Sequence, residues 1–187
     1  MSIPTELPFT EDRDANRLLA SNPAALLIGM LLDQQYPMER AFLSPRLLAE
    51  RLGRDLDPVH IADLDDDTLE GVFRGPPALH RYPGSMAKRT RALCAHIADE
   101  YDGDAASIWE TAEDGDDLYR RLLALPGFGD AKARIFLGVV GKRLGAGPPG
   151  WEDRAADWPS IADVDTFEHV AVLREQKRAM KQGGRSG

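Results

Sequence analysis

Residues 123–137 read LALPGFGDAKARIFL: a helical stretch, a turn built on Pro126, Gly127 and Gly129, then a second helical stretch. No other segment constrains the fold as much. Proline fixes φ where the turn begins, and the two glycines permit backbone geometry and close approach that a side chain would block. The turn runs directly into a helix N-terminus, whose first backbone N–H groups have no intrahelical acceptor and point outward. Such a terminus is an anion site. A nucleic-acid phosphate is a fitting ligand, with Lys132 and Arg134 placed to assist. Contacts of this kind position a duplex without reading its sequence.

The rest of the chain reads mostly as helix. Residues 12–20 form a short polar helix, and 23–35 are apolar almost all round, as in a buried central helix. Segment 45–53 is amphipathic and closes on glycine; 61–64 leads into 65–73, whose first turn carries acids. Segment 85–100 joins apolar Met86, Leu93 and Ile97 to basic Lys88, Arg89 and Arg91. A single turn is expected at 105–109, helices at 116–124 and 131–144, and a Gly-, Pro- and Trp-rich loop at 145–160. Asp165 and Glu168 make an N-terminal capping pattern for a last helix over 165–181. No alternating run is long enough for a strand, so the expected class is all-α. The expected organisation is one domain over 1–182, with the hairpin at 116–144 and a disordered tail at 183–187.

Composition sets limits on chemistry. The chain has 187 residues, 43% of them hydrophobic, enough to bury a real core. Its one cysteine, Cys94, allows no internal disulfide and no iron–sulfur cluster or zinc site built from several thiolates. Cys94 itself reads as a core residue. His60, His80, His96 and His169 show no metal-ligand spacing. The polar, acidic opening MSIPTELPFTEDRD has no signal-peptide pattern and no apolar run is long enough to span a bilayer, so the expected location is the cytoplasm, on the nucleoid if bacterial.

The net charge of −8 argues against a general polyanion binder. Its distribution is uneven. Residues 120–145 hold six basic side chains (Arg120, Arg121, Lys132, Arg134, Lys142, Arg143) and one acidic, Asp130, directly after an acidic segment at 99–117 with nine acids and no Lys or Arg. Two solvated faces would explain this. So would a local anion site on an acidic body.

Three blocks together resemble the HhH-GPD superfamily of helix-hairpin-helix DNA glycosylases. The hairpin Leu-Pro-Gly-Phe-Gly is similar to the family's Leu-Pro-Gly-hydrophobic-Gly. LIGMLLDQQ, residues 27–35, looks like the early apolar helix whose Gln-containing turn enters the DNA beside an extruded nucleotide. RGPPALHRYPGSMAKRTRAL, residues 74–93, is similar to the family's turn and basic helix, with Lys88 at the matching step. The resemblance spans residues 23–145 and implies a two-lobed helical fold with a cleft. It implies base-excision-type binding of double-stranded DNA through Leu125, Gly127, Phe128, Gly129, Lys132, Arg134 and Lys88, with Gln34 or Gln35 filling the gap. No cofactor is expected beyond a monovalent cation at the hairpin, and no membrane; the chain is expected to act as a monomer.

The chemistry departs from the pattern. Strand-cleaving members carry a Lys two residues past the second glycine; here that position is Ala131. Lys132, one residue on, is rotated by about 100° on a helix, so a Lys-dependent lyase is not expected. The family's catalytic Asp stands roughly twenty residues past the same glycine, where this chain has Pro149. Glu152 and Asp153 follow, and Val164-Asp165-Thr166 copies the family's local sequence after a longer spacing. Asp165 is therefore the candidate catalytic carboxylate, although capping of the last helix is a sufficient explanation for it. Trp151 and Tyr36 are minor candidates for lining a base pocket; Trp109, Trp151 and Trp158 also read as packing residues. Three functions stay open: a monofunctional glycosylase, a non-catalytic DNA-binding descendant, and a scaffold for a protein partner.

Overall fold

The computed structural model describes residues 3–184, whose regular secondary structure is all helical, with no strand among them. The helices are α1 (Arg13–Ser21), α2 (Pro23–Leu32), α3 (Met38–Leu52), α4 (Pro58–Asp63), α5 (Asp66–Arg74), α6 (Pro83–Tyr101), α7 (Ser107–Glu110), α8 (Gly115–Leu123), α9 (Asp130–Gly138) and α10 (Glu168–Gly183). A π-helical turn, Val139–Arg143, continues α9, and short 3-10 turns form at Trp151–Asp153 and Ile161–Asp163.

Side-chain capping sets several of the starts. The Asp12, Asn22, Asp65 and Asp114 side chains each accept a backbone N–H from the first turn of α1, α2, α5 and α8. Asn22 also donates to the Leu56 carbonyl, and Pro23 follows at the first helical position. Every residue of α2 from Ala24 to Leu32 is buried, which explains its all-round apolar composition. Gly29 is required there: a Cβ would lie 2.6 Å from the Phe42 ring of α3.

Helices α1 to α6 form one packed group, in which α2 packs on α1, α3 and α6 while α4 and α5 pack on α6, and α7 to α9 with the turns that follow form a second. Trp109, Phe128 and Phe136 centre the second group, with ring centroids 5.7 and 6.2 Å from Phe136. Trp151 lies over Gly141 and Gly147, where any Cβ would meet its ring at 2.4 and 2.3 Å. It is a packing residue.

Three boundaries differ from the sequence reading. Helix α3 begins seven residues before Pro45, because Met38, Ala41 and Phe42 are buried against the core and hold the earlier turns. Helix α2 stops at Leu32, leaving Gln34 and Gln35 in a turn. Helix α10 begins at Glu168, its N-cap position is Phe167, and no side chain caps it, so Asp165 is not its cap. The helix runs through Gly183 into the expected tail; residues 185–187 of that tail lie outside the described residues. No single described helix is long and apolar enough to cross a membrane.

Candidate nucleic-acid interface

The turn at 33–37, between α2 and α3, is met by the second group of helices. Lys132 of α9 reaches it with Nζ donating to the carbonyls of Met30 at 2.7 Å, Leu31 at 3.1 Å and Asp33 at 3.4 Å. These are the carbonyls of the last turn of α2 and its cap, where the helical ladder runs out of donors; Met30 O also accepts the Asp33 N–H and Leu31 O the Gln34 side chain. Burial pushes the Lys132 amine down to about 8, Asp33 favours its charged form, and Arg89 opposes it. The neighbouring hairpin packs on the same helix end: a Cβ on Gly127, whose φ is +84°, would lie 2.3 Å from Leu31 Cδ1.

His80 holds the turn from the other side. It is 1% exposed. Its Nδ1 accepts the Tyr82 N–H at 3.0 Å, which makes Nε2 the protonated nitrogen, donating to the carbonyls of Gln34 at 3.0 Å and Leu32 at 3.1 Å. Ser44 and Arg51 of α3 fix the loop that delivers it, donating to the carbonyls of Leu79 and Pro77. The sequence reading assigned His80 no role, and nothing local in the sequence marks it.

The two glutamines are thereby separated. Gln34 is half-buried, donates to Leu31 O at 2.8 Å and accepts from Arg89 at 3.0 Å. Gln35 is exposed, with a left-handed φ of +52°, and its Oε1 accepts from Tyr82 at 3.4 Å. Tyr36 packs against His80 with ring centroids 4.6 Å apart and the rings tilted by 44°. Gln35 thus projects from a turn fixed on both sides, with Tyr82 beside it.

Within the hairpin, Leu125 and Phe128 are core residues, and Gly127 and Gly129 are exposed. Nothing lies within 4 Å of a Cβ placed on Gly129, and no side chain caps α9. The Asp130 carboxylate accepts the Tyr119 hydroxyl at 2.5 Å.

The basic stretch around the hairpin is engaged inside the fold. Arg120 pairs with Asp117, and Arg121 with Asp117 and with backbone carbonyls of Ser107 and Ile108. Arg134 donates to the Arg154 carbonyl and lies 4.9 Å from the Trp158 ring centroid. Lys142 pairs with Asp163 at 2.7 Å, and Arg143 donates to the Val164 carbonyl. Lys132 and Arg134, expected to assist the hairpin, are committed to these intramolecular partners; Lys88 is exposed.

Asp165 is exposed and lies 3.4 Å from His169 Nδ1. Cys94 is buried and its thiol is pushed up to about 12, as a core residue's would be. Among the described residues, no group of three or more His, Cys, Asp or Glu side chains is arranged to hold a metal ion. No protein-family model, curated protein or solved structure matches this chain.

Proposed function

We propose that this chain is a DNA-binding protein of base-excision-repair type, acting as a monofunctional DNA glycosylase. The observation that carries the reading is the joining of hairpin and turn. Lys132 and the close approach of Gly127 to Leu31 tie the hairpin that opens α9 to the end of α2, from which the turn with the exposed Gln35 continues. In this reading the first N–H groups of α9 take a duplex phosphate, as helix N-termini do. Gln35 enters the stack where a damaged or mismatched base has left it, with Tyr82 beside it to stack on a neighbouring base. A Lys-dependent lyase does not fit, since Lys132 is bound to three carbonyls and its neighbour is Ala131.

One observation favours a second reading. Asp165 is exposed and paired with His169, so the carboxylate suggested by sequence has no enclosed place in which to act. A non-catalytic protein that binds damaged DNA would need only the hairpin and Gln35.

Fluorescence anisotropy with intact, mismatched and abasic-site duplexes at two salt concentrations tests the binding claim. Tighter binding to the defective duplexes, lost in Gln35→Ala, is the expected result. Absence of binding at low salt would remove the DNA reading. Base release from a panel of damaged duplexes separates the enzyme from the non-catalytic form.

A further inference from the structure

Although the hairpin's cations are engaged, the chain presents others. Arg40, Lys177, Arg178 and Lys181 have no carboxylate within ion-pair distance among the described residues, and all four line one groove between the 33–37 turn, the start of α3, and α10. The groove encloses about 590 Å³, a volume within the range of small-molecule sites. Arg174, on its wall, bridges to Glu39. Residues 174, 177, 178 and 181 share one face of α10. On a chain of net charge −8, this concentration of cations marks a site for an anion.

At the same groove stands a carboxylate that, among the described residues, has no side-chain hydrogen bond and no cation within ion-pair distance. Asp33 is half-buried, and its side chain accepts no hydrogen bond from the described residues. Its backbone is fixed at both ends: the N–H donates to Gly29 and Met30 carbonyls, and the carbonyl accepts from Lys132. Burial raises the Asp33 carboxyl above its ordinary value and Glu39 adds to this, while Lys177 and Lys132 act against it. Asp33 precedes the exposed Gln35 by two residues.

We propose that this groove seats one extruded deoxynucleotide, with its flanking phosphates on Arg40, Lys177, Arg178 and Lys181 and the C1′ of its sugar over Asp33. This rests on the DNA-glycosylase reading and gives its chemistry to Asp33 in place of Asp165, which does not line the groove. Asp33 is then the catalytic carboxylate, stabilising the positive charge that develops on the sugar. Water bonds to C1′ as the C1′–N bond breaks. The water's proton passes to Asp33, and the electron pair of the broken bond goes to the base nitrogen, which takes a proton from solvent.

The test needs no knowledge of the base. Two duplexes carry, at one position, either neutral tetrahydrofuran or protonated pyrrolidine in place of the deoxyribose; the second mimics the charged sugar. The wild type should prefer the pyrrolidine duplex by at least about tenfold, as a site complementary to that charge would. Asp33→Asn should lose the preference with an unchanged melting curve, and Asp165→Asn should keep it. Lys177→Ala/Arg178→Ala should weaken both duplexes alike and reduce the salt slope by about 1.8, the value for two lost phosphate contacts. The assignment is overturned if the wild type binds without preference, if Asp33→Asn retains the preference, or if Asp165→Asn loses it. It is also overturned if the double variant binds like the wild type. A wild type that binds neither duplex at low salt removes the DNA reading itself.

Discussion

Lys132 Nζ lies 2.7 Å from the carbonyl oxygen of Met30, a residue 102 positions earlier in the chain. This contact closes the C-terminal end of α2 with a cation from the hairpin helix, where the helix dipole favours positive charge. Lys132→Met should remove the charged donor shared by the Met30, Leu31 and Asp33 carbonyls and lower stability by about 1–3 kcal/mol in chemical denaturation.

The same residue gives a pH signature with a definite sign. In the unfolded chain the amine keeps its proton to about 10.5; in the folded chain it releases it from about 8. Between those values the unfolded state binds more protons, so stability rises with pH. Denaturation midpoints of the wild type relative to Lys132→Met should climb across this window and level off above it.

His80 works in the opposite pH range. Burial holds its imidazole below 6.5, Lys132 and Arg81 add to this, and the Gln34 and Leu32 carbonyls oppose it. The unfolded chain therefore takes up the proton first, and stability falls as pH drops through about 6.5. Since Nδ1 already accepts the Tyr82 N–H, a second ring proton would face a donor. His80→Phe should lose this pH dependence, and Gln35 should become more mobile on the NMR timescale of the backbone.

The hairpin glycines should separate by experiment. Gly127→Ala meets both a positive φ and Leu31, and should cost about 1–3 kcal/mol. Gly129→Ala meets open space and should fold normally. If α9 takes a phosphate there, Gly129→Asp should melt like the wild type and bind duplex DNA far more weakly.

Cys94 should not react with thiol reagents at pH 8 in the native state, since burial keeps it protonated to about 12. Reaction should appear only across the unfolding transition.

The class of fold was legible because α2 and α6 carry unambiguous apolar patterns and the hairpin has its own turn chemistry. Other parts were not, for physical reasons. Residues 38–44 look like a loop because Pro45 resembles a helix start, but burial of Met38, Ala41 and Phe42 extends the helix upstream. Charge counting placed the anion site near the hairpin, yet the π-helical turn and the 3-10 turn at Ile161–Asp163 bring Lys142 to Asp163 and Arg143 to the Val164 carbonyl. Such pairing depends on tertiary proximity, which no local pattern carries. Gln34 and Gln35 were legible as a pair; that only Gln35 is exposed follows from Arg89 and His80, distant in sequence.

After Leu173, no residue of α10 is buried. Beyond the Arg174–Glu39 bridge, local hydrogen bonding carries most of the helix from there to Gly183, against the mutual repulsion of Lys177, Arg178 and Lys181 on one face. Its far end is thus a built-in gauge of counter-ion occupancy. An anion settling between those cations would slow amide exchange over the last turns, while the core helices would exchange as before.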